Sequence, residues 1–269
     1  MTYIPKSVRK PQGNSSPGAS APKDPNVTIV RVEDILSSPQ RNSKGVMLEG
    51  SFVMKPNATM IQIYMTPSTI DAGYSTEGDE DAEQFKHVFK GDHPGSDLEI
   101  DEFIQNNTGK DLVIIYGSCT EKVRRVMGSK CAPMKLKTEG VDNKDGRKKQ
   151  MTFEQIVATG YVPAHYMGEI VLQDPTVASG AALTISNESL MQKLPSSSTD
   201  TEITFTAITA DVDNIVTLIG SGGTTPSVLE PSANVVLNGG ANWTAVEGAV
   251  IHLKVYNGAT KMLIEVSRE

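Results

Sequence analysis

Cysteine is scarce in this chain: its 269 residues include two, Cys119 and Cys131. Neither has a partner two residues away. The four histidines, His87, His93, His165 and His252, are scattered without the close helical pairing of a zinc site. Aromatic residues make up 5% of the chain, with one tryptophan, which argues against thickly packed helical cores and leaves sheet cores open. Long apolar runs are also missing. None approaches the roughly 18 residues that span a bilayer, and the opening residues lack a charged-then-apolar signal segment. The expectation is a protein made in a reducing cytoplasm, with no membrane partner and with both thiols free. Positive charge is in deficit, 25 basic residues against 32 acidic for a net −7. A protein that grips nucleic acid by its phosphates carries the opposite sign, whereas an acidic wall lets DNA slide past; ordinary solubility is the favoured account of the charge by itself.

The templates for chemistry fail on residue type or spacing. Ile219-Gly220-Ser221-Gly222-Gly223-Thr224 resembles a phosphate-cradling loop, but no lysine follows the glycines and no helix signal opens after them, so it reads as a glycine-rich strand connection. The Asp142-Asn143-Lys144-Asp145-Gly146 run suggests a calcium loop until the twelfth position, which is Thr152 instead of a carboxylate. Cys119, in Gly117-Ser118-Cys119, stands where a nucleophile could, yet no capped helix follows and a buried structural thiol is the expected reading. No catalytic residue, cofactor or metal site is assigned.

What remains is rich in glycine, serine, threonine, asparagine and proline, which suits short strands joined by turns. Residues 1–26 hold five prolines and four basic residues, and read either as a disordered tail or as a flexible arm that orders on a neighbouring subunit. Strand patterns follow at 27–32, 45–54, 59–65 and 111–117. Between them lies an acidic stretch, Asp71 to Glu83, with Glu77, Asp79, Glu80 and Asp81. One helix is predicted near 97–107, with Ser96 as N-cap, Glu99 completing a capping box, an Ile100/Phe103/Ile104 stripe and Gly109 closing it. A hairpin is expected with its tip at Asp142–Gly146, then a strand at 168–172 and a boundary at Asp174-Pro175. Residues 177–200 look like a linker, and 201–269 like a small all-β domain with strands at 201–210, 214–219, 234–237, 249–256 and 261–266. The predicted class is mainly β: a β-sandwich or barrel over 27–176 with one flanking helix, and the C-terminal β domain.

Several segments in order resemble the tail tube (major tail) proteins and related virion proteins of tailed phages, particularly those infecting Bacteroidota. They are Val30-Arg31-Val32-Glu33-Asp34-Ile35-Leu36, Lys44 to Gly50, Glu77 to Glu83, His93-Pro94-Gly95, Gly117-Ser118-Cys119 and Gly128 to Met134. Asn242-Trp243-Thr244-Ala245, Gly248 to Gly258 and Met262 to Arg268 resemble the closing β-module of phage fibre and appendage proteins, with Met262-Leu263 where those modules often carry a second aromatic. The resemblance implies a virion subunit that is not an enzyme, forming stacked hexameric rings beside other tail or neck proteins and passing DNA without specific binding. The residues expected at the subunit interface are Asp71, Glu77, Asp79, Glu80, Asp81 and Glu83, set against Lys122, Arg124, Arg125 and Lys130, with a pair of solvated loops the alternative for both runs. Trp243 and Tyr256 are the aromatics that could stack on a glycan, with core packing the alternative for each. Rival readings are a head decoration, head fibre or connector protein of the same virion, and a carbohydrate-binding module.

Overall fold

In a computed structural model the described residues are 5–11, 16, 18–56, 58–119, 122–144, 146–172, 177–258 and 260–269. Part of the expected arm (1–4, 12–15 and 17), Asn57, the Asp174-Pro175 boundary and Asp145 of the hairpin tip lie outside them. The chain is mainly β and divides into two compact units. One comprises Met1–Glu33, Arg41–Met47 and Ile61–Tyr166; the other comprises Asp34–Gln40, Leu48–Met60 and Met167–Glu269.

The first unit is a β-sandwich with one flanking helix. Its pivot is the strand Leu112–Tyr116, which pairs with Asn26–Arg31 along one edge and with Arg124–Met127 along the other. At its first residue it also meets the long hairpin, through Met134↔Leu112. A strand has two edges, so a third partner forces the sheet to bend there and fold over itself. One layer runs Ile61–Tyr64, Asn26–Arg31, Leu112–Tyr116, Arg124–Met127 and Ala164–Tyr166. The other runs Met134–Asn143, Gly146–Gln155, Gln84–Pro94 and Asp71–Glu77. The alternation of each strand then decides the core: Val27, Ile29, Ile63, Leu112, Ile114 and Met127 face Phe89, Leu136, Met151 and Phe153. Phe89 packs tilted on Phe153 at 6.1 Å and on Tyr116 at 5.3 Å.

The helix, Leu98–Asn107, sends Ile100 and Phe103 into that core, with Ile104 half-buried beside them. Its N-cap is Asp97, not the expected Ser96, and no side chain caps the first turn. Ser96 Oγ instead donates to the Asp101 carboxylate at 3.4 Å, which removes the predicted capping box. Gly109 does end the helix, at φ +82 with open space around a Cβ position. Gly109→Ala is therefore expected to cost only the conformational strain, about 1 kcal/mol, read as a small shift of the urea midpoint.

Local patterns elsewhere held with adjusted bounds. The 45–54 segment is broken into Met47–Glu49 and Val53–Met54, because Gly50 between them takes φ +111. The hairpin strands run further than expected, to Asn143 and from Gly146, so the tip is shorter. The acidic stretch is mostly strand: Asp71–Glu77 pairs with Glu77↔Gln84 as its last rung, which leaves only 78–83 as the turn. No strand forms at 168–172.

The second unit corrects the expected domain plan. Its main sheet is ordered Met191–Lys193, Ile215–Ile219, Val250–Asn257, Lys261–Arg268 and Val235–Val236. Residues 177–200 are not a linker. Ala182–Ile185 pairs with Thr204–Ile208, and Leu183, Ile185 and Leu194 are buried in the core with Val216, Leu218, Trp243, Ile251, Leu253 and Leu263. Segments 34–40 and 48–60 also belong here. Ile35–Ser37 pairs with Val53–Met54, and Val53 packs with Ile219 and Val250. Among the described residues of this unit one carboxylate is buried: Glu265 pairs with Arg268 and accepts the Asn238 N–H at 2.8 Å. Burial alone would raise its pKa, but these partners hold it below the usual carboxylate range.

Candidate functional site

The first unit's sheet ends in the seven-residue strand Asp71–Glu77, which is bonded on one side only, to Gln84–Pro94. Six of its residues are exposed, and no proline or lysine on it blocks a further strand. At its far end the turn places Asp79, Glu80, Asp81 and Glu83 in solvent, with Gly78 at φ +118 and Asp81 at φ +70. Glu77 pairs with Lys86 at 3.4 Å. The sequence-predicted acids therefore lie on one hairpin: Asp71 at its root, Glu77 before the bend, the rest on the bend.

The basic partners predicted for them do not form one patch. Lys122 precedes the strand Arg124–Met127 and Lys130 lies in the turn after it, both exposed. Arg124 and Arg125 are neighbours on a strand, so they point to opposite faces. Arg124 packs along Gly117, where an added Cβ would be 3.4 Å from its Cγ. Arg125 pairs in register with Tyr116 and shares its face, the inner face of the sandwich.

That face explains a cleft. Inside the sandwich, Ile114 and Met127 are opposed by Phe89; one step outward along the strands the residues become Tyr116, Arg125, His87 and Tyr74. There the apolar core runs out and the sandwich stays open. The opening is a cleft of about 400 Å³ lined by Tyr74, Tyr116, Arg125, Ala72, Ser118 and Lys23, among others. Lys23 arrives from the N-terminal segment, which is bridged to Ser118 and held by Asp24 N donating to Gly117 O at 3.1 Å. The Tyr74 ring is fixed edge-on against Phe85 at 5.8 Å. Burial pushes the Tyr116 phenol pKa up, with the nearby Arg125 charge pulling the other way. Lys23, Tyr74 and Tyr116 were not singled out in the sequence; the only signal was that Ala72 and Tyr74 stand two apart on one strand and so share a face.

His87 is buried but committed. Its Nε2 donates to Tyr161 O at 3.0 Å, so Nδ1 is left to accept the Gly128 N–H at 3.4 Å. Its backbone N–H donates to Gln155 Oε1 at 2.9 Å, and burial lowers its pKa, keeping it neutral. Both ring nitrogens being engaged, it can act as a base only by giving up a structural contact. Cys119 and Cys131 are exposed, which corrects the expected burial of Cys119; its Sγ lies 3.3 Å from Lys23 O. Both thiols are expected to titrate with an aromatic disulfide reagent in the native protein, and a count of zero or one before denaturation would contradict their exposure.

The long hairpin carries the chain's densest basic run, Arg147-Lys148-Lys149, and each member has an acid of its own chain. Arg147 pairs with Asp142 at 2.9 Å, Lys148 with Asp92 at 2.6 Å and Lys149 with Asp101 at 2.6 Å. A phosphate backbone would have to displace those partners. Among the described residues no group of three or more metal-binding side chains converges, and no helix is long and apolar enough to cross a membrane.

In the second unit Trp243 is 4% exposed and part of the core, so its ring cannot stack on a sugar, while Tyr256 is 51% exposed. No protein-family model, curated protein or solved structure matches this chain.

Proposed function

We propose that this chain is a structural, non-enzymatic virion protein of a tailed phage, the tail tube subunit, whose copies form stacked hexameric rings that conduct DNA. It assembles in the host cytoplasm, works in the virion beside other tail or neck proteins, and touches DNA without binding it specifically. The observation that carries the reading is the bare edge strand Asp71–Glu77: an exposed strand with one free side is completed by another strand, and a ring of copies removes such edges. The phage-type segments in the sequence supply the context. The acidic balance and the neutralised hairpin fit a wall that DNA passes without sticking.

Negative-stain electron microscopy of the purified full chain tests this. Hollow stacked rings are the expected image. Discrete trimers or single rings would move the protein to a head decoration, fibre or connector role, and a monomer at high concentration would end the assembly reading.

A further inference from the structure

The proposed self-assembly needs a contact that repeats from copy to copy, and the first unit carries two unlike surfaces suited to it. One is the cleft at the open end of the sandwich, with Lys23 and Arg125 among its lining residues and the Tyr74 and Tyr116 rings in its walls. Neither cation has an ion-pair partner among the described residues. The other is the turn at the end of the Asp71–Glu77 hairpin, where Asp79, Glu80, Asp81 and Glu83 stand exposed, with no cation paired to them among the described residues. We propose that the acidic turn of one copy seats in the Lys23/Arg125 cleft of a second copy.

The geometry favours a second copy over the same chain. Tyr74 lines the cleft, and Glu77 lies three residues further along the same strand, about 10 Å away at the usual rise. The turn begins beyond Glu77. Cross-strand pairing through Glu77↔Gln84, with the Phe85↔Thr159 bridge just behind, holds the hairpin extended and away from its own cleft. Physiological salt screens charges over about 8 Å, so the acids gain little from their own Lys23 and Arg125. Seated in a neighbour, they would meet those cations in a recess partly closed to water, where an ion pair is screened less. The tyrosine walls would cover the stem of the turn.

Socket and plug are different patches, so each copy uses one of each and the contact is heterologous. Such contacts generate rings when the rotation closes and filaments when it does not. This rests on the assembly reading and specifies which surfaces meet. It also revises the sequence expectation: of the four basic residues predicted to face the acids, Arg125 alone lines the cleft, joined by Lys23.

A charge-swap experiment on the full chain tests it. One variant reverses the socket, Lys23→Glu with Arg125→Glu. The other reverses the plug, Asp79→Lys, Glu80→Lys and Glu83→Lys, leaving Asp81 because of its positive φ. All five positions are surface or cleft positions, and melting curves check that both variants fold. Sedimentation velocity should show the parent assembled, each variant alone reduced at least tenfold in assembled fraction, and an equimolar mixture restored, because each then finds its opposite. Assembly of either variant alone at the parent's level, or a mixture no better than its parts, would overturn the pairing while leaving the assembly reading intact. A parent that never assembles would overturn both.

Discussion

Gly223→Ala is expected to unfold the second unit at markedly lower denaturant than the parent chain, a loss of about 3–5 kcal/mol. Gly223 sits at φ +116, where an L side chain is strained by about 1–3 kcal/mol. A Cβ there would also lie 2.0 Å from Ser197 O and 2.7 Å from Ser197 N, which is backbone that cannot rotate aside. Ser197 N donates to Gly222 O at 3.0 Å and its carbonyl accepts from Thr225 N at 3.1 Å, so moving it apart sacrifices hydrogen bonds worth about 0.5–1.5 kcal/mol each. The chain's single tryptophan is buried in this unit, so its fluorescence in urea reports the transition directly. An unchanged midpoint would show that the backbones are not in contact there. Gly248→Ala, in the same unit, is the natural control, having the positive φ without the clash.

Lowering the pH from about 7 to 4 is expected to destabilise the same unit, chiefly through His252. Its side chain is buried; Nδ1 lies 3.0 Å from Thr217 Oγ1, and Nε2 has no partner among the described residues. Gly50 lies against the ring so closely that a Cβ would be 2.9 Å from Nδ1. Burial disfavours the imidazolium and lowers the pKa from the ordinary 6.5 to about 4, with Glu269 drawing it slightly back up. Between those values the unfolded chain binds a proton that the folded chain refuses. Stability is therefore full above the ordinary value and falls as pH drops towards the folded one, by up to about 3 kcal/mol. Glu169, whose carboxyl burial pushes up, titrates with the opposite sign, so the informative comparison is against His252→Gln. That variant should lose most of the slope between pH 6.5 and 4 in urea titrations followed by Trp243 fluorescence. A parent and variant with parallel pH profiles would mean that His252 is not held neutral by the fold.

The glycines and histidines show how far a sequence reading reaches. Ile219-Gly220-Ser221-Gly222-Gly223 reads correctly as a strand connection, but the reason for its glycines is a crossing of backbones distant in the chain. A Cβ on Gly220 would fall 2.2 Å from Val246 O, and Gly223 meets Ser197. Nothing local announces such a crossing. Trp243 likewise offered two readings, surface platform or core, and only its neighbours decide between them. The placement of the basic residues was likewise beyond a local reading. Lys122, Arg124, Arg125 and Lys130 look like one basic run, yet strand alternation and the turn at 128–133 disperse them, while Lys23, about a hundred residues earlier, joins Arg125 at the cleft.

By itself the sequence determined the local events: strands where apolar and polar residues alternate, one helix where Ile100 and Phe103 share a stripe, and a stop at Gly109. These follow from nearest-neighbour sterics and from which side of an element must leave water, and both are written in short windows of residues. Tertiary structure alone decided that residues 34–40, 48–60 and 177–200 join the second unit, that Trp243 is sealed in its core, and that the first sandwich stays open beside Arg125. Those outcomes depend on burial between segments far apart in the chain. A short strand such as Val53–Met54 has too little pattern of its own to say which core it will complete.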